Sequence, residues 1–364
     1  MDSLFDELID SESINKNILI TGGAGFIGTN LIIKLLKNTN YTIYNLDYVG
    51  FGSNYESIKL LDKKYPNYFH LNVDLYNNKL VEEAIEISKP EIIIHLAAES
   101  HVDRSIDNPR LFIEKNIIGT FNLLESSFKY WENLPEKRKG RFHFHHVSTD
   151  EVYGSLNSTG KFSEKSKYAP NSPYSASKAS SDHIVMSWFK TFGLPVTISN
   201  CSNNYGPYQF PEKLIPSTII KALNKESIPI YGEGKNIRDW LFVEDHVDSI
   251  LMIIFKGKLG FSYCIGGNSE LDNLQLVYKL CDMLDEIKPS YISYRELIIF
   301  VEDRPGHDKR YALDTSLAKK ELNWEPRFNL DQGLLNTVKW YLSNQDWVKN
   351  TMERSHYKGV RQGL

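Results

Sequence analysis

The residues with the most chemistry to offer lie between Ser148 and Lys178. Ser148-Thr149-Asp150-Glu151-Val152-Tyr153-Gly154 sets hydroxyls beside two adjacent carboxyls, and Tyr174-Ser-Ala-Ser-Lys178 adds a phenol and an ammonium. The segment Pro173 to Phe192 reads as a helix opened by proline at its first position, so Tyr174 and Lys178 share one face a turn apart. An ammonium beside a phenol favours the phenolate. That would draw Tyr174 below its reference pKa of roughly 10 and make it a base near neutrality. Taken alone, Tyr-x-x-x-Lys is also what a surface tyrosine and a solvated lysine look like, and Asp-Glu also suits a helix N-terminus. The elements that carry these residues decide between the two.

Those elements alternate. Asn17 to Thr21 is a short apolar run that predicts a buried strand, and Thr21-Gly-Gly-Ala-Gly-Phe-Ile-Gly28 follows, before helical periodicity from Thr29 to Lys37. Strand, glycine loop and helix together make a phosphate site. Gly22 permits the tight turn, Gly25 lets backbone approach a pyrophosphate, and Gly28 lets helix pack on strand. The next apolar run, Tyr41 to Leu46, ends at Asp47, 19 residues beyond Gly28. A carboxylate there bonds the adenosine ribose hydroxyls and repels a 2′-phosphate, which selects NAD over NADP. Further strands are expected at Phe69 to Val73, closing on Asp74-Leu75, at Ile92 to Ala98, and at Phe142 to Val147. With helical patterns between them they predict βαβ units in a doubly wound parallel sheet. The last of these strands delivers Thr149, Asp150 and Glu151 to the carboxyl edge, where open α/β sheets bind ligands.

From Asn200 the rhythm breaks. Cys201 to Pro211 is rich in turn residues and amides and predicts a loop. Beyond it come a helix near Glu212 to Leu223, strands near Ile228 to Tyr231 and Ile237 to Phe242, and helices near Val243 to Phe255, Asn273 to Leu284 and Asp331 to Asn344. These predict a smaller α/β lobe with some segments returning to the main sheet. The expected division is residues 15–202 for the cofactor and 203–364 mainly for the substrate.

Composition narrows the class. The chain has 364 residues, 41% hydrophobic and 24% charged, with a net charge of −4, which gives no reason to expect a nucleic acid or an anionic membrane as partner. No apolar run approaches the roughly 18 residues of a membrane span. The leader Met1 to Lys16 is acidic and polar, unlike a secretory signal or a transit peptide. Cys201, Cys264 and Cys281 are widely spaced and predict buried free thiols of a reducing, cytoplasmic setting. Pro135 to Arg141 predicts a solvated basic loop. His143, His145 and His146 imitate a metal tract, but strand alternation sends them to different faces, so no metal site is expected.

The ordered motifs carry a resemblance. Thr-Gly-x-x-Gly-x-x-Gly with Tyr-x-x-x-Lys is the pattern of the extended short-chain dehydrogenase/reductases, and within them the chain closely resembles the dTDP-glucose 4,6-dehydratases. The matching segments are His95 to Ser105, Ser148 to Gly154, Ser172 to Asp182, Asn200 to Pro207, Pro211 to Pro216, Ile237 to Trp240 and Asp303 to His307. They span nearly everything from Asn17 to about Tyr341. The resemblance implies a Rossmann domain with a smaller C-terminal α/β substrate-binding lobe, NAD as cofactor and a nucleotide sugar as substrate. It also implies a homodimer on paired helices, here roughly Pro109 to Tyr130 and Pro173 to Phe192.

The implied reaction makes a 4-keto-6-deoxy sugar from dTDP-glucose or UDP-glucose, with NAD reduced and reoxidised in place, as for rhamnose and other deoxysugars. Tyr174, held by Lys178, would take the 4-hydroxyl proton, and Thr149 would bond the 4-oxygen. Glu151 would take the C5 proton and Asp150 would protonate the departing 6-hydroxyl. Asp150 must then be neutral while Glu151 is ionised, which demands environments that split the two. The implied cofactor contacts are Gly22, Gly25, Phe26, Ile27, Gly28, Asp47, Asp74, Leu75, Leu96, Ala97, Ala98, Tyr174, Lys178 and Asn204. The implied substrate contacts are Ser100, Thr149, Asn203, Lys213, Leu214, Pro229, Tyr231, Asn273, Asp303, Arg304 and His307, with Arg238 clamping the phosphates. Two positions depart from the pattern. Gly50 stands where a threonine is usual, and Lys115 replaces a threonine common beside the nicotinamide ribose.

Two other functions share part of these motifs. A 4-epimerase or decarboxylase of the same superfamily keeps the glycine loop and Tyr-x-x-x-Lys, but an epimerase needs no acid for a leaving hydroxyl. A non-catalytic NAD-binding regulator typically loses the Tyr or the Lys, and both are present here.

Overall fold

A computed structural model describes residues 17–355; the leader Met1 to Lys16 lies outside the described residues. Seven parallel strands form the main sheet: β1 (Asn17–Thr21), β2 (Thr42–Leu46), β3 (Tyr68–Leu71), β4 (Ile92–His95), β5 (His143–Thr149), β6 (Val196–Cys201) and, after three strands elsewhere, β10 (Ser262–Ile265). Their spatial order is β10-β6-β5-β4-β1-β2-β3. The order reverses between β1 and β4, and the crevice at that switch point is where such sheets bind ligands. Two small sheets accompany it. One joins β7 (Asn203–Tyr205), β9 (Ile237–Phe242) and β11 (Glu270–Asp272), and the other pairs β8 (Ile228–Tyr231) with β12 (Ile298–Val301).

The core follows from the apolar strands. Leu19, Ile93, Phe144 and Val196 face one helical layer, while Ile18, Ile20, Ile43 and Ile94 face the other. Helix α1 (Phe26–Asn38) and the helix Val243–Lys256 cover the second face. A separate cluster around Ile219, Trp240, Leu280 and Leu334 holds the smaller lobe together.

Several boundaries differ from expectation. Helix α1 starts at Phe26 rather than Thr29, so Gly28 is inside its first turn. Strand β4 stops at His95, because the Thr21 carbonyl and hydroxyl take the amides of Leu96 and Ala97 and turn the chain toward the crevice. Asn200 and Cys201 belong to β6, and Asn203–Tyr205 form a short strand, so the expected loop is confined to its later part. The expected helix Pro109 to Tyr130 is interrupted by a π-helical stretch, Ile113–Ile118, between Pro109–Phe112 and Gly119–Glu132. The wider turn carries Asn116, which exchanges hydrogen bonds with the backbone of Glu99 (2.8 and 3.0 Å) and donates to Ser177 Oγ at 2.8 Å. The three histidines are buried in β5. His143 and His145 share Thr197 Oγ1 as a partner, and His146 faces the opposite layer.

Candidate active site

A crevice along the carboxyl edge of β1, β2, β4, β5 and β6 gathers the chemistry. Its floor is the glycine loop. Gly22 has φ +72, and a Cβ there would stand 2.7 Å from the backbone of Ala97; one on Gly28 would collide with the Gly22 carbonyl. Gly25 is different, since its Cβ would meet only the Gly22 carbonyl, at 3.2 Å. Gly25 is also the N-cap of α1 and offers no side chain to the first amides, which leaves them to an anion. At the tip of β2 the buried Asp47 carboxylate is aimed by three donors: Ala24 N at 3.0 Å, Val49 N at 2.8 Å and Ser53 Oγ at 2.9 Å.

The reactive groups line the far end of the same crevice. Thr149 closes β5, and its hydroxyl caps the 3₁₀ turn Asp150–Tyr153 by accepting from Glu151 N at 3.3 Å. The helix Pro173–Phe192 opens with a reciprocal capping box between Ser172 and Ser175 and ends at Gly193 in the left-handed region. This fixes Tyr174 in the first turn and Lys178 one turn on, both buried.

The electrostatics are set by burial. Asp150 is pushed well above the usual carboxyl range by desolvation, then by the charges of Glu151 and Asp239. Burial also raises Glu151, but Arg304, Arg238 and Lys213 pull it back. The more strongly raised acid is therefore Asp150, the direction an acid–base pair requires. The tyrosine differs from expectation. Burial and then Glu151 hold the Tyr174 phenol well above its ordinary value, with a Thr149 hydrogen bond acting the other way. The Lys178 ammonium donates to the Val147 carbonyl at 2.8 Å and faces His146 Nε2 at 3.4 Å.

Every residue expected to touch the cofactor lines this crevice: Gly22, Gly25, Phe26, Ile27, Gly28, Asp47, Asp74, Leu75, Leu96, Ala97, Ala98, Tyr174, Lys178 and Asn204. Ser100, Thr149, Asn203 and Lys213 join them, with Lys213 Nζ donating to the Ser100 carbonyl at 3.2 Å. Leu214, Pro229, Tyr231, Arg238, Asn273, Asp303, Arg304 and His307 do not line it. They lie in the later half of the chain, and of them Arg238 and Arg304 act on the charge of Glu151. Arg304 pairs with Asp103 at 3.1 Å, His307 with Asp303 at 2.6 Å, and Arg238 donates to the carbonyls of Ile237 and Asp308. Several buried oxygens on the crevice lining, among them Asp150 Oδ2, Asn203 Oδ1, Gln209 Oε1 and Glu212 Oε2, have no hydrogen-bond partner among the described residues. Such atoms fit a polar ligand.

Sequence reasoning missed the rim. Phe51 and Phe210 meet at 5.1 Å across the crevice, and the Arg104 guanidinium covers Phe51 at 4.0 Å while pairing with Glu99 at 3.4 Å. An apolar residue flanked by glycines, Gly50-Phe51-Gly52, soon after Asp47 was the available signal. Gly50 itself has its missing side chain's space filled by the Tyr48 phenol. Lys115 lines the crevice, pairs with Asp74 and lies over the Tyr48 ring at 4.8 Å. Among the described residues no cluster of histidine, cysteine and carboxylate side chains is placed to hold a metal ion.

Comparison with known proteins agrees with this geometry. A protein-family model described as GDP-mannose 4,6 dehydratase matches residues 19–337. A dTDP-glucose 4,6-dehydratase of Salmonella typhimurium (strain LT2) is 48% identical over 354 residues, covering 95% of this chain and 98% of that protein. Among solved structures, the dTDP-glucose 4,6-dehydratase of Bacillus anthracis in complex with NAD aligns with a TM-score of 0.81 at 42% identity, over 92% of this chain and 99% of that one. The enzyme of the same name from Streptomyces venezuelae, also with NAD bound, aligns with a TM-score of 0.84 at 37% identity over the same shares. With a near-full-length match at this identity and its reactive groups converging on one crevice, the chain belongs to the dTDP-glucose 4,6-dehydratase family.

Proposed function

We propose that this protein is an NAD-dependent dehydratase that converts dTDP-glucose to the 4-keto-6-deoxyglucose nucleotide. The observation that carries this is the joint lining of one crevice by the glycine loop, Asp47, Thr149, Asp150, Glu151, Tyr174 and Lys178. The residues present fit NAD. Gly25 leaves room for a pyrophosphate against the free amides of α1, and Asp47 stands at the ribose end. Bound NAD supplies the hydride acceptor for C4 and the donor for C6.

The side chains do the proton work. Tyr174 takes the proton of the sugar 4-hydroxyl while Thr149 bonds the same oxygen. Glu151, the carboxyl with three cations around it, takes the C5 proton that a 4-ketone makes acidic. Asp150, kept protonated by burial and by its neighbour, gives its proton to the departing 6-hydroxyl. Tyr174 needs help beyond its own surroundings, and an oxidised nicotinamide held in this crevice would supply a positive charge acting in the required direction. Arg238, Arg304 and Lys213 face the substrate's diphosphate side, with Ser100, Asn203, Leu214, Pro229, Tyr231, Asn273, Asp303 and His307 shaping the nucleotide pocket.

Residues 15–202 serve mainly the cofactor and 203–364 mainly the nucleotide sugar. The setting is cytoplasmic, and the product feeds rhamnose or another deoxysugar. The protein acts as a homodimer through the face bearing Ile113, Ile118, Phe121 and Phe192, which is apolar and exposed in the single chain. The names of the relatives support thymidine on the substrate. Incubation of the purified protein with dTDP-glucose and, separately, UDP-glucose, without added NAD, tests the proposal by NMR of the product. A 4-keto-6-deoxy sugar formed faster from dTDP-glucose is expected; no product from either, even with NAD supplied, overturns it.

A further inference from the structure

Behind the reactive lysine lies a buried polar cluster that the reaction itself does not use. The Lys178 ammonium is 4% exposed and donates to the Val147 carbonyl at 2.8 Å. Its second neighbour is His146 Nε2, at 3.4 Å, and Asp182 Oδ1 stands 3.2 Å from the same nitrogen. Asp182 lies on the same helix as Lys178, one turn further along, and is 2% exposed; His146 is fully buried. The second carboxyl oxygen, Oδ2, is gripped from three elements: by Ser148 Oγ at 2.8 Å, the Tyr168 hydroxyl at 2.9 Å and Asn200 Nδ2 at 3.1 Å.

A buried cation is costly unless an anion and hydrogen bonds accompany it. The groups that face this cluster come from four elements: His95 on β4, His146 on β5, Cys201 on β6, and Tyr174 and Asp182 on the helix itself. Burial holds His95 and His146 far below their ordinary values, so both are neutral, and it pushes the Cys201 thiol up to about 12. That leaves Asp182 as the counter-charge for the ammonium; burial raises its carboxyl, and Lys178 with three hydrogen-bond donors pulls it back. Three donors converging on Oδ2 are what an ionised carboxylate takes and a protonated one has less use for. The imidazole between them has one nitrogen, Nδ1, without a partner among the described residues. The Asp182 Oδ1 that faces Nε2 likewise has no hydrogen-bond partner among the described residues, so the carboxylate acts on the ammonium by its charge, across a ring whose Nε2 can accept from Lys178.

We propose that Asp182, facing the lysine across His146, is the counter-ion and positioning residue of Lys178, and that it keeps the ammonium charged and aimed at the crevice. This rests on Tyr174 and Lys178 working as proposed above. Neither Asp182 nor His146 touches substrate or cofactor; both act through the lysine. Without the carboxylate, the ammonium keeps only a carbonyl and a neutral ring. Lys178 then loses its proton at lower pH, and turnover fails earlier on the alkaline side.

The test is the pH profile of kcat for the NAD-loaded enzyme, with KM followed in parallel. Asp182→Asn is expected to move the alkaline limb down by about one unit, the low end of the effect of an opposite charge at close range. On the alkaline side of both limbs kcat is about tenfold lower at that shift and below them it stays near wild type, while KM for the sugar nucleotide changes less than twofold. His146→Gln breaks the same link from the strand side and moves the limb in the same direction. It decides the matter if the aspartate variant does not fold. A merely structural role lowers kcat evenly at every pH and leaves the limb in place. That outcome in a folded variant, or a wild-type profile in both, overturns the proposal. An inactive wild-type enzyme would instead count against the dehydratase function itself, which keeps the two failures distinct.

Discussion

The two ends of the crevice are built on different physics. At the glycine-loop end, fit is steric and carried by backbone: Gly22 must be left-handed and Gly28 must lie against the Gly22 carbonyl, while Asp47 is aimed by amides of nearby residues. At the acid–base end, fit is electrostatic. Asp150 and Glu151 are neighbours in sequence on the same short turn, yet Glu151 is compensated by Arg304, Arg238 and Lys213, which arrive from distant parts of the chain, while Asp150 has Arg238 against the charges of Glu151 and Asp239. A steric site fails when an atom is added. An electrostatic site fails when a charge is removed, with the fold left standing.

The largest effect expected from that contrast is at the electrostatic end. Asp150→Asn with Glu151→Gln keeps volume and removes both proton-transfer groups. It should retain NAD and bind sugar nucleotide, while dehydration falls by at least about a thousandfold, within the usual range for acid–base groups. Full activity in that double variant would sink the mechanism. Next comes the steric end. Gly22→Ala places a Cβ 2.7 Å from the Ala97 backbone at φ +72, which should cost about 1–3 kcal/mol of stability in urea unfolding. Gly25→Ala, free of that collision, should unfold like the wild type but retain less NAD, read from the absorbance of the purified protein. Equal losses of stability in the two variants would erase the distinction between a turn glycine and a ligand-facing one.

A third prediction separates function from stability at one residue. Asp150 has its folded-state pKa raised, so between its ordinary value and the raised one the folded chain holds a proton that the unfolded chain has lost. Wild-type stability therefore falls as pH rises through that window, by about 1.4 kcal/mol per unit at most. Asp150→Asn removes the loss. It should be more stable than wild type at pH 8 and closer to it at pH 5, measured by urea unfolding, although it dehydrates poorly. The smallest effect belongs to the rim. Lys115 pairs with Asp74 where both side chains are partly exposed (20% and 34%), so Lys115→Thr should change NAD affinity by less than about fivefold, the scale of a surface pair.

Much of this was legible in the chain because it is local. Strand, glycine loop and helix from Asn17 to Asn38, the carboxylate at Asp47, the paired acids at the end of β5 and the Tyr174–Lys178 spacing each depend on a few consecutive residues. Their apolar period and turn chemistry dictate geometry directly. Boundaries slipped where a side chain from elsewhere intervened. Thr21 takes the amides of Leu96 and Ala97 and ends β4 early, and a π turn interrupts the helix that carries Asn116.

By itself the sequence determined which groups are present and which helix face or strand edge carries them, since periodicity is a property of the backbone. It also predicted that Lys178 would draw the Tyr174 phenol down, whereas burial and Glu151 push it up in the folded chain. Spacing along a helix says that two side chains share a face, but not where the ammonium finds its partners. Only the folded chain decided that Lys178 turns to Val147 and His146, that Asp150 is more deeply raised than Glu151, and that Arg238 and Arg304 stand near enough to matter. Protonation depends on burial and on charges gathered from the whole molecule, and no short stretch of sequence contains that information.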